Sequence, residues 1–411
     1  MRKCVLILLI VVASLGWQSC AENAPSAVQD SPELLKAVPS DALCVGVFSR
    51  LDRGMERMVD SASVLRNLDF GRLSRSHAAI ALCDVGSVSE LLIIEAGRSG
   101  ADTLDVVRNI MAMADSMKVW HALFELDTHN ALLLSPSSTV ITVAGRHVAA
   151  ESSILDAPDF QQVVDVLSGA DAVVLRNRGA SRLLDLSFGQ LNTKAVAGFI
   201  RDAAEWTVLC NGHLHPVVPD DARYFCNFMG ALEEGTSKLS ACFPEGADAI
   251  IDLPVSSIEQ WRKAYENWLD ARIALESYQK RMGTLAKASG KKPLNWEKEQ
   301  GVKELACVMM QGGTLNMVRV SKSQNSDGVQ KNPYTGFVRA LYGAPFDSSD
   351  SLCLRCGAWL VSGGDRALLD SFRVSKKKPS DWPAAAKAVA WRPDGHISWT
   401  KDNIKIWDSN R

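Results

Sequence analysis

The sequence lacks an excess of positive charge, and this absence limits the partners that the protein can bind. Lysine and arginine together number 45 against 47 aspartates and glutamates, which gives a formal net charge of -2. A surface with this balance repels polyanions, so a nucleic-acid partner is not expected. The short basic runs at residues 291–292 and 376–378 stand beside prolines and are typical of solvated loops.

The sequence also lacks the motifs by which common enzymes are recognised. It contains no G-x-S-x-G, no H-E-x-x-H and no G-x-G-x-x-G. Residues 230–235 have the glycine spacing of a phosphate-binding loop, but Thr236 stands where that loop requires lysine. These absences predict a protein without catalysis and without a cofactor. A hydrolase or thiol enzyme whose site forms only in the fold is the alternative, because catalytic side chains need only meet in space.

The N-terminal apolar run, residues 5–12, is too short to span a bilayer and follows Arg2 and Lys3, which together predict a secretory signal. Next, Ser19 stands directly before Cys20, and this ending is similar to the lipobox of bacterial lipoproteins. Trp17 and Gln18 depart from the usual lipobox residues, so a plain signal peptide cleaved nearby is the alternative. We expect residues 1–20 to be the signal, Cys20 to carry the acyl anchor in a lipid bilayer, and residues 21–38 to form a tether.

The 411 residues exceed the roughly 250–300 that one hydrophobic core usually serves, so two halves are expected. Residues 37–62 and 242–271 each contain a proline-led turn and a short apolar strand. In each, a serine precedes a carboxylate at the spacing of a capping box, which predicts a helix after the strand. These pairs are Ser49 with Asp52 and Ser256 with Glu259.

The landmarks that follow repeat in the same order. Apolar runs at 78–83 and 90–96 correspond to those at 304–310 and 315–320, and a predicted strand over 139–143 corresponds to one over 353–361. The second half differs in its longer helix, which the apolar stripe predicts to be continuous over 258–285. The repetition predicts an α+β fold of two tandem related halves, residues 39–238 and 239–411, each a mainly antiparallel sheet with packed helices.

Cysteines can form a metal site, a disulfide or a redox pair only if the fold brings their side chains close together. Most of the eight that follow Cys20 lie in apolar strand patterns, where cysteine acts as a small core residue. Cys353 and Cys356 form a C-x-x-C, but residues i and i+3 of a strand point to opposite faces, so they cannot share a metal without a bend. Core packing is the main expectation, with structural disulfides or redox chemistry as alternatives.

Two further groups of residues are weak candidates for a binding site. His213 and His215 alternate along a predicted hairpin strand around 211–212, so both imidazoles share one face, but no third metal ligand is evident. Trp391, Trp399 and Trp407 crowd the C-terminal segment, where they could stack on a glycan or contact an envelope protein. Packing within the protein is the alternative for the tryptophans.

Short motifs resemble those of an uncharacterised family of envelope lipoproteins from Bacteroides-like bacteria, known only as a domain of unknown function. They are the lipobox-like start, the Pro-x-x-Ala turns at 39–42 and 244–247, the Trp206-Thr207 hairpin and residues 224–232 leading into Phe243-Pro244. The resemblance covers most of residues 37–400 and brings no catalytic residue. It implies a membrane-anchored lipoprotein of the cell envelope that acts as a binding or assembly module.

Overall fold

The computed structural model describes most of the chain after residue 30, in two compact units. The described residues are 31–97, 101–167, 171–183, 194–210, 213–218, 223–224, 232, 238–242, 244–245, 247–254, 256–310, 312–343, 346, 349–374, 387–390 and 397–398. The first unit comprises the described residues within Met1–Ser187 and Glu205–Val217, and the second those within Phe188–Ala204 and Val218–Arg411.

The first unit is built on an antiparallel sheet. Its strands are Cys44–Phe48 (β1), Ala78–Asp84 (β2), Val88–Glu95 (β3), Trp120–Glu125 (β4), Asn130–Ser135 (β5), Ala172–Arg176 (β6), Trp206–Cys210 (β7) and His213–Val217 (β8). Within the unit they follow the order β8-β7-β6-β1-β2-β3-β5-β4, and each neighbouring pair is antiparallel. The mainly antiparallel α+β prediction is confirmed for this unit.

Helices cover both faces of this sheet. They are Ser31–Leu34 (α1), Leu51–Met58 (α2), Ala101–Ser116 (α3), Ser138–Ala149 (α4) and Phe160–Val166 (α5). On one face the main core cluster includes Trp206, whose indole ring packs edge-on against Phe160 at 5.0 Å and donates to the Pro158 carbonyl at 3.1 Å. That hydrogen bond satisfies the only polar atom of a fully buried tryptophan side chain.

The predicted strand over residues 139–143 was wrong, because these residues belong to α4. Valine, isoleucine and threonine favour strands, but the Ser137 side chain accepts a hydrogen bond from the Val140 amide and so caps a helix. Val140 and Ala144 then lie one turn apart in the core. Capping and packing outweigh the intrinsic preference of the residues.

The predicted tether was also too long. Residues 34–38 fold onto the first unit, and Leu35, Ala37 and Val38 are completely buried. Glu33 fastens this segment by accepting hydrogen bonds from the amide and hydroxyl of Thr128, and it also contacts His129 Nδ1 at 3.1 Å. The other ring nitrogen of His129 lies 3.3 Å from Glu95, which in turn contacts His77 Nδ1 at 2.8 Å.

The Glu33 contacts predict that acid loosens this segment. Burial alone would raise the pKa of Glu33, but the Thr128 and His129 contacts lower it from the ordinary 4.5 to about 2. The His77 hydrogen bond likewise lowers the pKa of Glu95. A carboxylate whose pKa is lower in the folded state contributes stability above its unfolded pKa and loses that contribution as the pH falls. The contribution of Glu33 should therefore be lost between about pH 4.5 and pH 2.

Thermal unfolding at about pH 7 and about pH 3 tests this with Glu33→Gln. The substitution should lower the melting temperature at neutral pH by a few degrees, roughly 2–4 °C for each kcal/mol lost. On acidification, the melting temperature of the variant should fall by less than that of the wild type. Asp127→Asn is the matched control, because Asp127 pairs with Lys36 but is largely exposed. An equal acid-induced drop in Glu33→Gln and wild type would refute the role of Glu33.

The second unit has its own sheet. Its strands are Ala247–Pro254 (β9), Glu304–Met310 (β10), Gly313–Arg319 (β11), Gln330–Lys331 (β12), Leu352–Cys356 (β13), Trp359–Gly363 (β14) and Lys387–Ala390 (β15), with Ile397–Ser398 as a further short strand (β16). The order is β12-β13-β14-β11-β10-β9-β15, and all pairs are antiparallel except β15 with β9, which is parallel. The predicted single strand over 353–361 is instead the β13–β14 hairpin.

The second unit also contains helices. They are Lys194–Ala203 (α6), Ile258–Ala271 (α7), Leu275–Ser289 (α8), Pro293–Gln300 (α9), Phe337–Tyr342 (α10) and Arg366–Ser371 (α11). Leu368 and Leu369 of α11 join the apolar cluster that covers one face. Aromatic contacts join α7 to α8, through Tyr265 and Tyr278, and α9 to α10, where Trp296 lies edge-on to Phe337 at 5.8 Å.

The helix predicted over 258–285 was wrong in its continuity. The chain turns at Ile273, whose φ of 56° ends α7, and α8 begins two residues later. A left-handed conformation is unusual for a β-branched residue, and no glycine in the sequence marks this turn.

The predicted capping residues of α2 and α7 were wrong as well. Ser49 bonds to Asp171 instead of capping α2, and Ser257 rather than Ser256 caps α7.

Candidate functional site

A cleft of about 870 Å³ lies in the second unit and is lined by described residues. Four stretches of the chain line it: Lys238, residues 256–262 at the start of α7, residues 294–303 from α9 to the start of β10, and Arg319 at the end of β11. We call this site the basic cleft. Its volume lies within the range of about 300–1,000 Å³ that is typical of small-ligand sites.

One wall of the basic cleft rests on a buried carboxylate, Glu304, which is completely inaccessible to solvent. The Arg319 Nε donates to it at 2.6 Å, and the Lys238 amide donates to its two oxygens at 2.9 and 3.0 Å. The hairpin register places Glu304 directly opposite Arg319. A buried carboxylate needs such partners, so this pair holds the Lys238 segment against the sheet.

A second buried carboxylate, Glu297 of α9, supports the opposite wall. It is 1% exposed, forms an ion pair with Arg262 of α7 and accepts a hydrogen bond from the Tyr342 hydroxyl at 2.7 Å. Burial raises the pKa of Tyr342, so its phenol stays protonated and can donate. The three side chains join α7, α9 and α10 in a fixed arrangement.

Three lysines at the basic cleft differ from its two arginines, because no carboxylate among the described residues pairs with them. Lys238, Lys298 and Lys303 are exposed, and their ammonium groups form no ion pair within the described part of the chain. Glu259 is the remaining acidic residue of the lining, since Glu297 is paired. The cleft therefore carries a local surplus of positive charge in a protein whose net charge is negative.

The N-terminus of α7 adds to this positive field. Residues 256–259 line the cleft, and Ser257 accepts a hydrogen bond from the Gln260 amide at 3.3 Å, which satisfies one of the terminal amides. The amides that remain carry the positive end of the helix dipole. Helix termini combined with lysines bind phosphate and carboxylate groups, so the cleft is chemically suited to an anion.

The lining also contains hydroxyl groups. It includes the hydroxyls of Ser256 and Ser257, but the described residues around the cleft contribute no histidine or cysteine that could activate either serine. The two glutamates at its walls are occupied by arginines. The arrangement can hold a charged group in place, which is the chemistry of binding.

The predicted site residues lie elsewhere or outside the described residues. His213 and His215 are in β8, opposite Cys210 and Val208, and their side chains are not among those described. Cys20, Trp391, Trp399 and Trp407 lie outside the described residues. In the parts of the chain that the structure describes, no group of three or more histidine, cysteine, aspartate or glutamate side chains is placed to hold a metal ion.

The cysteines are free thiols in the described structure. Cys44, Cys83, Cys210, Cys242 and Cys307 are buried, whereas Cys353 and Cys356 are partly buried. Burial raises the pKa of the Cys44 and Cys307 thiols, which keeps them protonated and unreactive. Cys353 pairs across the sheet with Ser362 and Cys356 with Trp359, so the two residues of the C-x-x-C point to opposite faces.

Comparison with known proteins identifies no relative. No family model matches the chain, no curated protein matches it, and no solved structure matches it. Within the described residues, none of the helices combines the length and the apolar character needed to cross a bilayer. The function is therefore inferred from the geometry of the basic cleft and from the sequence.

Proposed function

We propose that this protein is a non-catalytic lipoprotein of the cell envelope that binds an anionic ligand in the basic cleft. The observation that carries the proposal is a set of three lysines that form no ion pair within the described residues and that lie around a cleft of about 870 Å³. Cationic groups without an ion-pair partner in the described part of the chain leave their charge available to a ligand. The ligand class is a small molecule or glycan that bears a phosphate or a carboxylate.

The rigid walls support binding with some selectivity. Glu304 and Glu297 fix the guanidinium groups of Arg319 and Arg262, so the shape of the cleft exists before a ligand arrives. A site that is already ordered avoids the entropy cost of ordering side chains on binding. The lysine side chains at the rim of the cleft are flexible, so they can adjust to anions of different size.

The alternative of a hydrolase or thiol enzyme has less support in the cleft. Such an enzyme needs a nucleophile beside a general base, and in the described lining neither a histidine nor a cysteine accompanies the serines. Binding requires nothing beyond the charges and amides that are in place.

The envelope location is proposed from the N-terminal sequence. Arg2, Lys3 and the apolar run 5–12 support export, and Cys20 after Ser19 supports lipidation. The similarity to envelope lipoproteins of Bacteroides-like bacteria agrees with this assignment. An acyl anchor of two or three chains would hold the protein stably at the bilayer.

Replacing Cys20 by alanine should release the protein from the membrane fraction of an expressing bacterium, because the acyl chains are attached to that sulfur. Cys44→Ala is the matched control, since Cys44 is buried in β1 and should leave the membrane association unchanged. The measurement is the distribution of the protein between membrane and soluble fractions. Membrane association that survives in Cys20→Ala would contradict lipidation at Cys20.

We also propose that the two units arose by tandem duplication. Five strands of the first unit lie in the order β1-β2-β3-β5-β4, and five of the second lie in the order β9-β10-β11-β14-β13. The pairs are antiparallel throughout, a helix follows the first strand of each set, and another follows the last hairpin. The two units also differ, because β6 runs antiparallel to β1 whereas β15 runs parallel to β9.

The duplication would explain why the cleft lies in the second unit. Between β1 and β2 the first unit has α2 and two short 3-10 turns, whereas between β9 and β10 the second has α7, α8 and α9. Residues 294–303, which include the end of α9, supply Glu297, Lys298 and Lys303 to the cleft. The extra helices thus add a binding site to a repeated scaffold.

A further inference from the structure

Two cysteines that are far apart in sequence meet in the second unit. Cys242 ends the 3-10 turn Leu239–Cys242 and is 3% exposed, and Cys356 ends β13. Cys242 belongs to the apolar cluster on one face of the sheet, and Cys356 packs against that cluster. Their thiol groups are in hydrogen-bond contact, and both are reduced.

The sheet register excludes the other two described thiols of the second unit as partners of Cys356. Cys353 is on the opposite face from Cys356. Cys307 of β10 is separated from β13 by β11 and β14, a distance of roughly 14 Å at about 4.8 Å per strand. Two cysteines can form a disulfide only if their Cα atoms lie within about 7 Å of each other. Neither Cys353 nor Cys307 meets this requirement with Cys356.

We propose that Cys242 and Cys356 are a modification site at which a small or protein disulfide oxidant forms an intramolecular disulfide. The partly buried Cys356 sulfur is the one that an oxidant can reach, so it attacks the oxidant and forms a mixed disulfide while one oxidant thiol leaves. The Cys242 sulfur then attacks the Cys356 sulfur and releases the second thiol. Two protons and two electrons pass from the protein to the oxidant, and one sulfur–sulfur bond replaces two thiols.

The cross-link would act on the basic cleft. Lys238 lies one turn of chain before Cys242, and its amide is bonded to Glu304. A bond from Cys242 to β13 fixes the segment that carries Lys238 and closes a loop of roughly 100 residues around the helices of the cleft. Burial and the neighbouring Cys356 raise the pKa of the Cys242 thiol, which makes oxidation slow until the oxidant has engaged Cys356.

The test uses the full chain, reduced and then incubated with oxidised glutathione. Peptide mapping without reductant should recover the Cys242 peptide joined to the Cys356 peptide. The oxidised protein should unfold at least about 5 °C higher than the reduced protein, because a long loop has been closed. Comparison of oxidised with reduced wild type requires no variant, so a folding defect cannot obscure it.

Two variants sharpen the result. Cys356→Ser should abolish both the linked peptide and the thermal shift, whereas Cys353→Ser should retain both. Glutathione adducts without the linked peptide, a Cys353–Cys356 link, or Cys242 that remains open to alkylation after unfolding would each overturn the proposal.

Discussion

Replacing Arg319 by alanine should lower the free energy of unfolding of the second unit by about 3–5 kcal/mol. Glu304 is completely buried, and Arg319 is the cation that neutralises it. The Lys238 amide also donates to Glu304, but an amide carries no full charge. A carboxylate left in the interior without its cation cannot recover its lost hydration.

Hydrogen exchange of the amides in Glu304–Met310 and Gly313–Arg319, followed as denaturant is added, measures the free energy of unfolding of the second unit by itself. Arg366→Ala is the control, because Arg366 is exposed on α11 and donates to the Val329 carbonyl without facing a buried charge. The control should cost less than about 0.5 kcal/mol. The double substitution Glu304→Leu with Arg319→Met should recover much of the loss, since both charges are then gone. A loss below about 1 kcal/mol in Arg319→Ala would show that the pair is not needed.

Reversing two charges at the cleft, Lys298→Glu with Lys303→Glu, should weaken binding of an anion at least about tenfold. Both lysines line the cleft, and neither is paired within the described residues. The change replaces attraction by repulsion, whereas both side chains are exposed, so the fold should be preserved.

Calorimetric titration with inorganic phosphate and with glucuronate measures the dissociation constants, and glucose serves as the uncharged probe. The matched control is Lys280→Glu with Lys287→Glu, which makes the same change in net charge at exposed positions of the neighbouring helix α8. The control should retain the affinity of the wild type. An equal loss in both double variants would mean that binding follows overall charge and not the cleft. Binding of phosphate without glucuronate, or the reverse, would define the ligand class.

Much of the architecture is encoded locally and could be predicted. Apolar runs such as 78–83 and 304–310 form strands because both faces of each strand are buried. The glycines at 312–313 marked the hairpin that joins 304–310 to the next strand. The errors arose where capping or backbone conformation departs from what the residue pattern predicts. Residues 139–143 have strand preference but are capped into a helix, and Ile273 breaks a helix without any glycine or proline.

The basic cleft was missed because its residues come from four separate stretches, and a net charge of -2 gives no hint of a local surplus. A usable signal did exist. Glu304 begins an otherwise apolar strand, and a turn at 312–313 places Arg319 opposite it. A charged residue that is predicted to be buried indicates a partner, and this pair forms one wall of the site.

The most direct test of the account is hydrogen–deuterium exchange of the full chain with and without saturating phosphate or glucuronate. At least one of these anions should slow exchange at the start of α7 and in residues 294–303, which line the basic cleft. Exchange in α8 between residues 280 and 287, where the control lysines lie, should not change. Protection that is absent from the cleft, or that appears only elsewhere in the chain, would contradict the proposal that this protein binds an anionic ligand at this site.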